Sequence, residues 1–555
     1  MIDYKTPLAD ILFALKHGAG ADRLGHWDAE LASDVLTHAG AMVDGIIAPL
    51  DPIGDMEGTR LVDGRAVMPP QFVEAYRQFK EGGWPGLAVD EEYGGQGLPH
   101  ILASALSEML SGACITYQMV LSLAHGAMRT LIASGSEAQR KTWVPRLASG
   151  DYLATMCLTE PQAGSDLGLA RTMATPVDDG SWRISGGKIF ISGGDQNLTD
   201  GRIMHLVLAR TPDAPAGVKG LSLFISPSHL PDGSRNAISV VRLEEKMGMH
   251  ASPTCQVAFD GAQAEIVGAP GEGLARMFTM MNAERLDVAV QGVGLAEVAL
   301  QRSLAYATER RQGRAGSGGS GPDPINRHGD VRRMLLTQMA LAQGCRAMVM
   351  RTLVDLELGE SPALMELMTP VCKAFATEAA QETASLAIQI HGGYGFLREY
   401  RVEQIARDAR ITPIYEGTNG IQAATVAGRV IRMDNGAALR EFRAEVEGAA
   451  AQATPAFAER LMDGLAALDR ASAAMLARRD LGLTATSYLR LIGLLAFGAA
   501  WSRLEAAADF APDPGRIRAT ASFVRDWMLC EIHALAERCE ISAELGSLPD
   551  NVFEL

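Results

Sequence analysis

The stretch Ile414-Tyr415-Glu416-Gly417-Thr418-Asn419-Gly420 sets one carboxylate between two helical patterns. Apolar residues recur at helical spacing over 404–411, and Pro413 disfavours helix in the residue before it, so the spacing predicts that this helix stops there. Gly417 supplies backbone freedom, and Thr418 is suited to cap a new helix running through Ile421, Val426 and Ile431. Glu416 is therefore expected on a short, tightly held turn. Taken alone it reads as an ordinary turn carboxylate, yet its neighbours Ile414, Tyr415 and Gly417 are uncharged and also suit a dehydrated pocket.

A chain of 555 residues is too long for one core and predicts roughly two to four domains. Its 47% apolar content and near-zero mean hydropathy mark a soluble globular protein. Seven cysteines, odd in number and without CxxC spacing, imply a reduced compartment, the cytoplasm, and no disulfide framework. The 11 histidines show neither HxxxH nor HExxH spacing, so no metal site is expected. Asp3, Lys5 and Asp10 would fall inside the apolar stretch of a signal peptide, which argues against export. The longest uncharged apolar run, 491–502, lies between Arg490 and Arg503 and is too short to span a membrane. A net charge of −16 disfavours nucleic acid and anionic membrane surfaces as partners.

Helical spacing over 27–47, 70–79, 101–120, 125–134 and 137–147 surrounds a turn-rich connector at 84–99. Beyond 151 the texture changes to short β-prone runs at 182–184, 188–192, 203–209, 221–226, 238–243 and 255–259, separated by Gly, Pro, Asn and Asp, which predicts an antiparallel β domain. Helical periodicity returns over 274–432, interrupted by the low-complexity run RAGSGGSGPDPIN at 314–326, read as a mobile surface loop. Residues 437–555 add Ala- and Leu-rich helices broken at Pro512 and Pro514. From Glu441 onward 17 acidic residues stand against 11 basic ones, and an appended helical bundle is the simplest reading. The expected class is α+β, with domains at 1–150 (helical), 151–272 (β), 273–433 (helical bundle) and 434–555 (further helices).

Four more motifs precede 414–420 in order: MCLTEPQAGSD (156–166), KIFISGG (188–194), KMGMHASPT (246–254) and QIHGGYG (389–395). Together the five resemble the acyl-CoA dehydrogenase family of flavoenzymes over roughly residues 40–432. The resemblance implies FAD as cofactor and an acyl-CoA thioester as substrate. It implies loss of an α proton while a hydride leaves the β carbon for flavin N5, giving the trans-2-enoyl product. An α proton is too weakly acidic for a free carboxylate, so such a site must polarise the thioester carbonyl and desolvate its base. By resemblance the base is Glu416, whose backbone N–H, with a flavin ribityl hydroxyl, would hold the carbonyl oxygen. A second carboxylate, Glu284, precedes Arg285 in MNAER (281–285), a helical position from which some branches of the family take their base. This sequence has both. Glu416 is favoured, and Glu284 is kept as alternative base, partner of Arg285, or like charge raising the pKa of the base.

For the flavin, the resemblance assigns Leu158 and Thr159 to the pyrimidine edge, Ser165 to the pyrophosphate, and Phe190 and Ser192 to the ring, where Trp and Thr are common in the family. Arg310 matches an arginine that reaches the pyrophosphate from a neighbouring subunit, though the aromatic residue usual three positions later is Gly313 here. Gln389, Gly393 and Thr418 match further cofactor positions, and the glutamine usual two residues past that threonine is Gly420. Contacts from different subunits imply a homodimer or dimer of dimers. On the substrate side stand Arg285 and Ser252, the latter shaping a loop with Pro253. GVGLAE (292–297) imitates the start of a dinucleotide fingerprint but lies inside a helical pattern with no preceding strand, so close helix packing is expected. His250 and His391 are read as local structural residues.

The length, the extension and DVRRML (330–335) resemble an extended bacterial branch whose substrates include 3-methylmercaptopropionyl-CoA, in dimethylsulfoniopropionate breakdown. A short- or medium-chain acyl-CoA is the other expected substrate, and electron-transferring flavoprotein the implied acceptor. Two rivals share the fold. An acyl-CoA oxidase would pass electrons to oxygen, and a DNA-associated alkylation-response flavoprotein would need a basic tail where this one is acidic.

Overall fold

In the computed structural model, which describes residues 2–315, 321–478, 480–541 and 548–554, the segments between 153 and 267 pair as a seven-stranded sheet. A small hairpin, β1 (Arg60–Val62) and β2 (Arg65–Val67), precedes it. The sheet strands are β3 (Leu153–Cys157), β4 (Met173–Pro176), β5 (Trp182–Ser192), β6 (Ile203–Arg210), β7 (Leu221–Pro227), β8 (Ile238–Leu243) and β9 (Thr254–Val267). Pairing runs β6–β4–β5–β9–β7 and returns to β6, so the sheet closes on itself, with β3 and β8 added at β6 and β9. Closure removes edges from the ring itself and leaves them only on the added strands β3 and β8.

The expected all-antiparallel arrangement is corrected: β3 and β4 both run parallel to β6. The reason is connectivity, because the chain between β3 and β6 makes the long crossover that parallel neighbours require and inserts the β4–β5 hairpin on the way. The two β-prone runs at 182–184 and 188–192 are the ends of the single strand β5. In β6 successive side chains face opposite cores. Met204, Leu206 and Leu208 pack with Leu131, Trp143 and Leu147 of the preceding helices, whereas Val207 and Ala209 join Phe224, Val257 and Phe259. A strand covered on both faces reads as a continuous apolar run, which IMHLVLA is.

The chain divides into two compact units, 39–287 and 1–38 with 288–555. The sheet lies in the first, with helices that include Pro70–Glu81, His100–Ser134 and Glu137–Ala148. His100–Ser134 is one run, bent at Cys114 (φ −161°, ψ 89°), and not two helices separated near 120–125, where Leu121, Leu123 and Ala124 continue the apolar pattern.

The second unit is helical. Gly329–Leu358 and Pro362–His391 are joined through Gly359 and Ser361, both at positive φ. The extension helix Ala485–Ala506 packs against both: Trp501 donates its indole N–H to the Ala340 carbonyl at 3.1 Å, and a Cβ on Gly344 would fall 2.2 Å from that nitrogen. One on Gly493 would fall 2.6 Å from the Phe375 ring. Helix-to-helix approach this close is open only to glycine. Gly292 serves the same end, its Cα lying against the Ala376 carbonyl, which confirms packing and not a dinucleotide turn. Of the 314–326 loop, 316–320 lie outside the described residues. Its stem is paired, with Asp323 N–H to Gly313 O and Ile325 N–H to Arg310 O.

The stretch Ala29–Glu57 is long and apolar enough, by length and composition, to cross a membrane. Leu36, Ala39, Val43 and Ile47 along it are fully buried, at the three- and four-residue spacing of one helix face.

Candidate active site

The turn at 414–420 forms between the helices Val402–Ala409 and Asn419–Gly428. Thr418 caps the second, its hydroxyl accepting the Ile421 N–H at 3.2 Å. Glu416, half-buried, has φ 54°, a left-handed conformation that a non-glycine residue holds only when its surroundings over-determine it. Those surroundings are explicit. Gln422 donates its side-chain amide to the carbonyls of Glu416 (3.0 Å) and Gly417 (3.2 Å). Lys373, fully buried on Pro362–His391, donates to the Gly417 carbonyl and to Asn419 Oδ1, both at 3.0 Å. Asn419 in turn donates to Ala374 O, Thr377 Oγ1 and Glu378 Oε1 at 3.2–3.3 Å. On the other side the Tyr415 hydroxyl donates to Gln291 Oε1.

In the β unit a comparable device shapes the strand edge that carries Leu158, Thr159, Phe190 and Ser192. Lys188, with no exposed surface, donates to the Leu158 carbonyl at 3.0 Å and to Glu160 Oε1 at 2.8 Å. Ile189 N–H bonds the Thr159 carbonyl at 2.9 Å. The β5–β9 register slips between Lys188 and Ile191, and in that bulge Phe190 takes φ 58° and stands 60% exposed. Burial opposes ionisation of Glu160, but the Lys188 ammonium and the N–H groups of Arg171 (2.7 Å) and Thr172 (3.0 Å) hold its carboxyl down to about 2. Burial in turn lowers the Lys188 pKa against the pull of Glu160.

Other expected positions fall as follows. Ser165 is exposed in the turn after β3. Ser252 is buried, its hydroxyl has no hydrogen-bond partner among the described residues, and its carbonyl accepts from Lys246 at 2.8 Å. Glu284 is buried with its carboxylate over Gly126, where a Cβ would lie 2.4 Å from Oε1, and Arg285 donates to Asn282 Oδ1 at 3.0 Å. In the helical unit the Arg310 guanidinium lies 5.5 Å from the centre of the Tyr394 ring, and Gln389 and Gly393 are exposed at the helix end nearby in sequence. His391 is buried and stacks on Tyr306 at 4.1 Å, while His250 is bonded to the carbonyls of Asp55 and Lys246, so both are structural.

Sequence reasoning passed over Glu160, Lys188, Lys373, Asn419, Gln422 and Gly126. A signal existed for the two lysines. Each is a lone cation inside an apolar run, KIFI and PVCKAFA, and a charge buried there must be met by acceptors.

Within the β unit, hydroxyls at Thr159, Ser165 and Ser192 and an outward aromatic at Phe190 are groups that suit the ring and polar edge of a flavin; in the helical unit Arg310 carries a guanidinium of the kind that suits a pyrophosphate. Such groups are those a flavin-dependent oxidoreductase presents to its cofactor. Profiles of the acyl-CoA dehydrogenase N-terminal, middle and C-terminal domains match residues 60–151, 155–262 and 271–431. The chain is 44% identical over 467 residues to 3-methylmercaptopropionyl-CoA dehydrogenase of Ruegeria pomeroyi, covering 79% of this chain and 78% of that one. It is 35% identical over 483 residues to the broad-specificity linear acyl-CoA dehydrogenase FadE5 of Mycobacterium tuberculosis, covering 80% and 78%. The solved acyl-CoA dehydrogenase of Bacillus anthracis complexed with FAD shares its fold at a TM-score of 0.73 and 22% identity, covering 96% of this chain and 90% of that one. The chain belongs to the acyl-CoA dehydrogenase family, whose members are FAD-dependent oxidoreductases acting on acyl-CoA thioesters.

Proposed function

We propose that the protein oxidises 3-methylmercaptopropionyl-CoA to its trans-2-enoyl thioester, with Glu416 as the base. The observation that carries the base assignment is the Glu416 turn, where a carboxylate is held in a left-handed conformation by hydrogen bonds on both flanks. Strain of this kind collects where a side chain must be aimed. The substrate follows the name of the Ruegeria relative. In this reading Glu416 takes the α proton at its carboxylate, and its backbone N–H steadies the thioester carbonyl as negative charge gathers there. FAD, when bound, would supply the acceptor for the hydride that leaves the β carbon. Leu158, Thr159, Ser165, Phe190 and Ser192 hold the flavin, and Arg310, Gln389, Gly393 and Thr418 hold the rest of the dinucleotide, partly across a subunit boundary in a homodimer or dimer of dimers. Ser252 and Arg285 lie on the substrate side, Glu284 adjusts the charge around the base, and electron-transferring flavoprotein collects the electrons. The seven free cysteines, six of them buried, suit the cytoplasm.

A second substrate reading, a straight short- or medium-chain acyl-CoA, is favoured by the name of the M. tuberculosis relative. Anaerobic titration of the FAD-loaded protein with a thioester panel separates the two. Preferential bleaching of the flavin band by 3-methylmercaptopropionyl-CoA is expected. Equal bleaching by straight chains selects the second substrate, and a flavin that no thioester bleaches overturns both.

A further inference from the structure

We propose that Lys373 is a positioning residue for Glu416, acting through the Gly417 carbonyl and the Asn419 side chain; the proposal rests on the assignment of Glu416 as base.

Lys373 stands within an apolar helix and is fully buried, a costly place for an ammonium group unless its protons are met by acceptors. Two of those acceptors belong to the turn that follows Glu416: Gly417 O and Asn419 Oδ1, each at 3.0 Å. The peptide between Gly417 and Thr418 is thereby tied to Pro362–His391. Asn419 fastens the same helix a second time through Ala374 O, Thr377 Oγ1 and Glu378 Oε1. Gln422 closes the arrangement from the capped helix by donating to the carbonyls of both Glu416 and Gly417. With the carbonyls of 416 and 417 both engaged, the peptide between Glu416 and Gly417 has little freedom to rotate. The left-handed φ of 54° at Glu416 is the conformation this fastening selects. A carboxylate carried on such a peptide keeps its aim. Without the fastening, a turn containing Gly417 at φ 85° is free to relax Glu416 into an ordinary backbone basin, and the carboxylate moves with it.

The test uses the full-length, FAD-loaded protein and four variants: Lys373→Met, Asn419→Ala, the double of these two, and Glu416→Gln. Lys373→Met and Asn419→Ala are each expected to slow flavin bleaching at saturating acyl-CoA by about 100-fold, the scale of an ångström-sized misplacement. The half-saturating thioester concentration should stay within about threefold, because the lesion lies in the aim of the base and not in uniform binding. The double variant should be no slower than the slower single, since both remove one device. Independently of turnover, amide exchange over 414–420 should quicken in both variants. Lys373→Met that fails to accumulate as folded protein leaves Asn419→Ala, which retains the cation while removing one of its acceptors and the ties of Asn419 to Ala374, Thr377 and Glu378, to decide. Unchanged bleaching, a loss confined to half-saturation, or unchanged exchange over 414–420 overturns the inference. Glu416→Gln separates the two readings. If it is inactive while the other variants are normal, only the role of Lys373 falls. If it bleaches at the wild-type rate, the assignment of the base falls and the role of Lys373 with it.

Discussion

Two regions of this molecule solve the same problem with different chemistry. In the β unit Phe190 is held at φ 58° beside buried Lys188, and in the helical unit Glu416 is held at φ 54° beside buried Lys373. Both are non-glycine residues in a basin that costs of order 1 kcal/mol or more, and each is kept there by a lysine bonded to backbone carbonyls nearby. Lys188 also bonds a carboxylate, Glu160, whereas the hydrogen bonds that tie Lys373 to the 416 turn run to a carbonyl and an amide. A charge met by an opposite charge locks two strands whose side chains face the cofactor in the proposed reading. Both of the Lys373 acceptors on the turn are dipoles, a peptide carbonyl and an amide oxygen. The contrast predicts that damage to the first device registers in stability and damage to the second in rate.

The largest effect is expected at the turn itself. Glu416→Gln removes the proton acceptor and keeps the shape, so flavin bleaching by the preferred acyl-CoA should slow by about 10³-fold, within the range for loss of a general base, with FAD retained. Rapid-mixing absorbance measures it, and a rate within tenfold of the parent would transfer the base to Glu284.

Next in size is Lys188→Met, which strands Glu160 in the interior without its cation. A cost of about 3–5 kcal/mol is expected, read by urea unfolding. Replacing both partners, Lys188→Met with Glu160→Gln, should recover most of that loss, because no buried charge is left unmet. If the double variant is as unstable as the single, the pair is not the pin described.

A third expectation concerns acid. Burial pushes His205 down to about 4, with Asp195 pulling it up and Arg235 further down. It sits on β6, 1% exposed, bonded to Thr155 Oγ1 at 2.7 Å. Its folded pKa lies below its ordinary 6.5, so the unfolded chain binds the extra proton between those values. Stability from this group is complete above pH 6.5 and falls by about 3 kcal/mol as pH drops to 4. Glu160, held at about 2 against an ordinary 4.5, begins to lose its contribution only below pH 4.5. Unfolding midpoints at pH 7 and 4.5 check this, and His205→Asn should flatten the slope.

How much of this was legible follows from what kind of information each feature needs. The stop at Pro413 and the cap at Thr418 are local and were readable, and β8 was found at its true ends because period-two alternation and flanking turns define it. Parallel pairing of β3 with β6 was not, because alternation says which face a residue takes and nothing about which neighbour runs beside it. The lysine pins were hidden for a related reason: Lys188 meets Glu160 28 residues away, and Lys373 meets Gly417 44 away. A positive φ at a residue with a side chain leaves no mark in composition. Gly417 advertised freedom, while the strained residue is the glutamate before it.

The smallest effect concerns Thr418, which has two offices in the proposed reading. Its hydroxyl caps Asn419–Gly428 by accepting the Ile421 N–H, and it is one of the expected FAD contacts. Thr418→Ala should cost about 1 kcal/mol from loss of the cap alone, measured by urea unfolding of the protein freed of FAD. Thr418→Ser keeps the hydroxyl and should restore the cap. The Lys373 fastening acts on Gly417 and Asn419, on either side of this residue, so the aim of Glu416 should survive the loss of the cap. Bleaching per bound flavin should then fall by less than about threefold in Thr418→Ala. A larger loss would mean that the cap, and not the buried lysine, holds the turn.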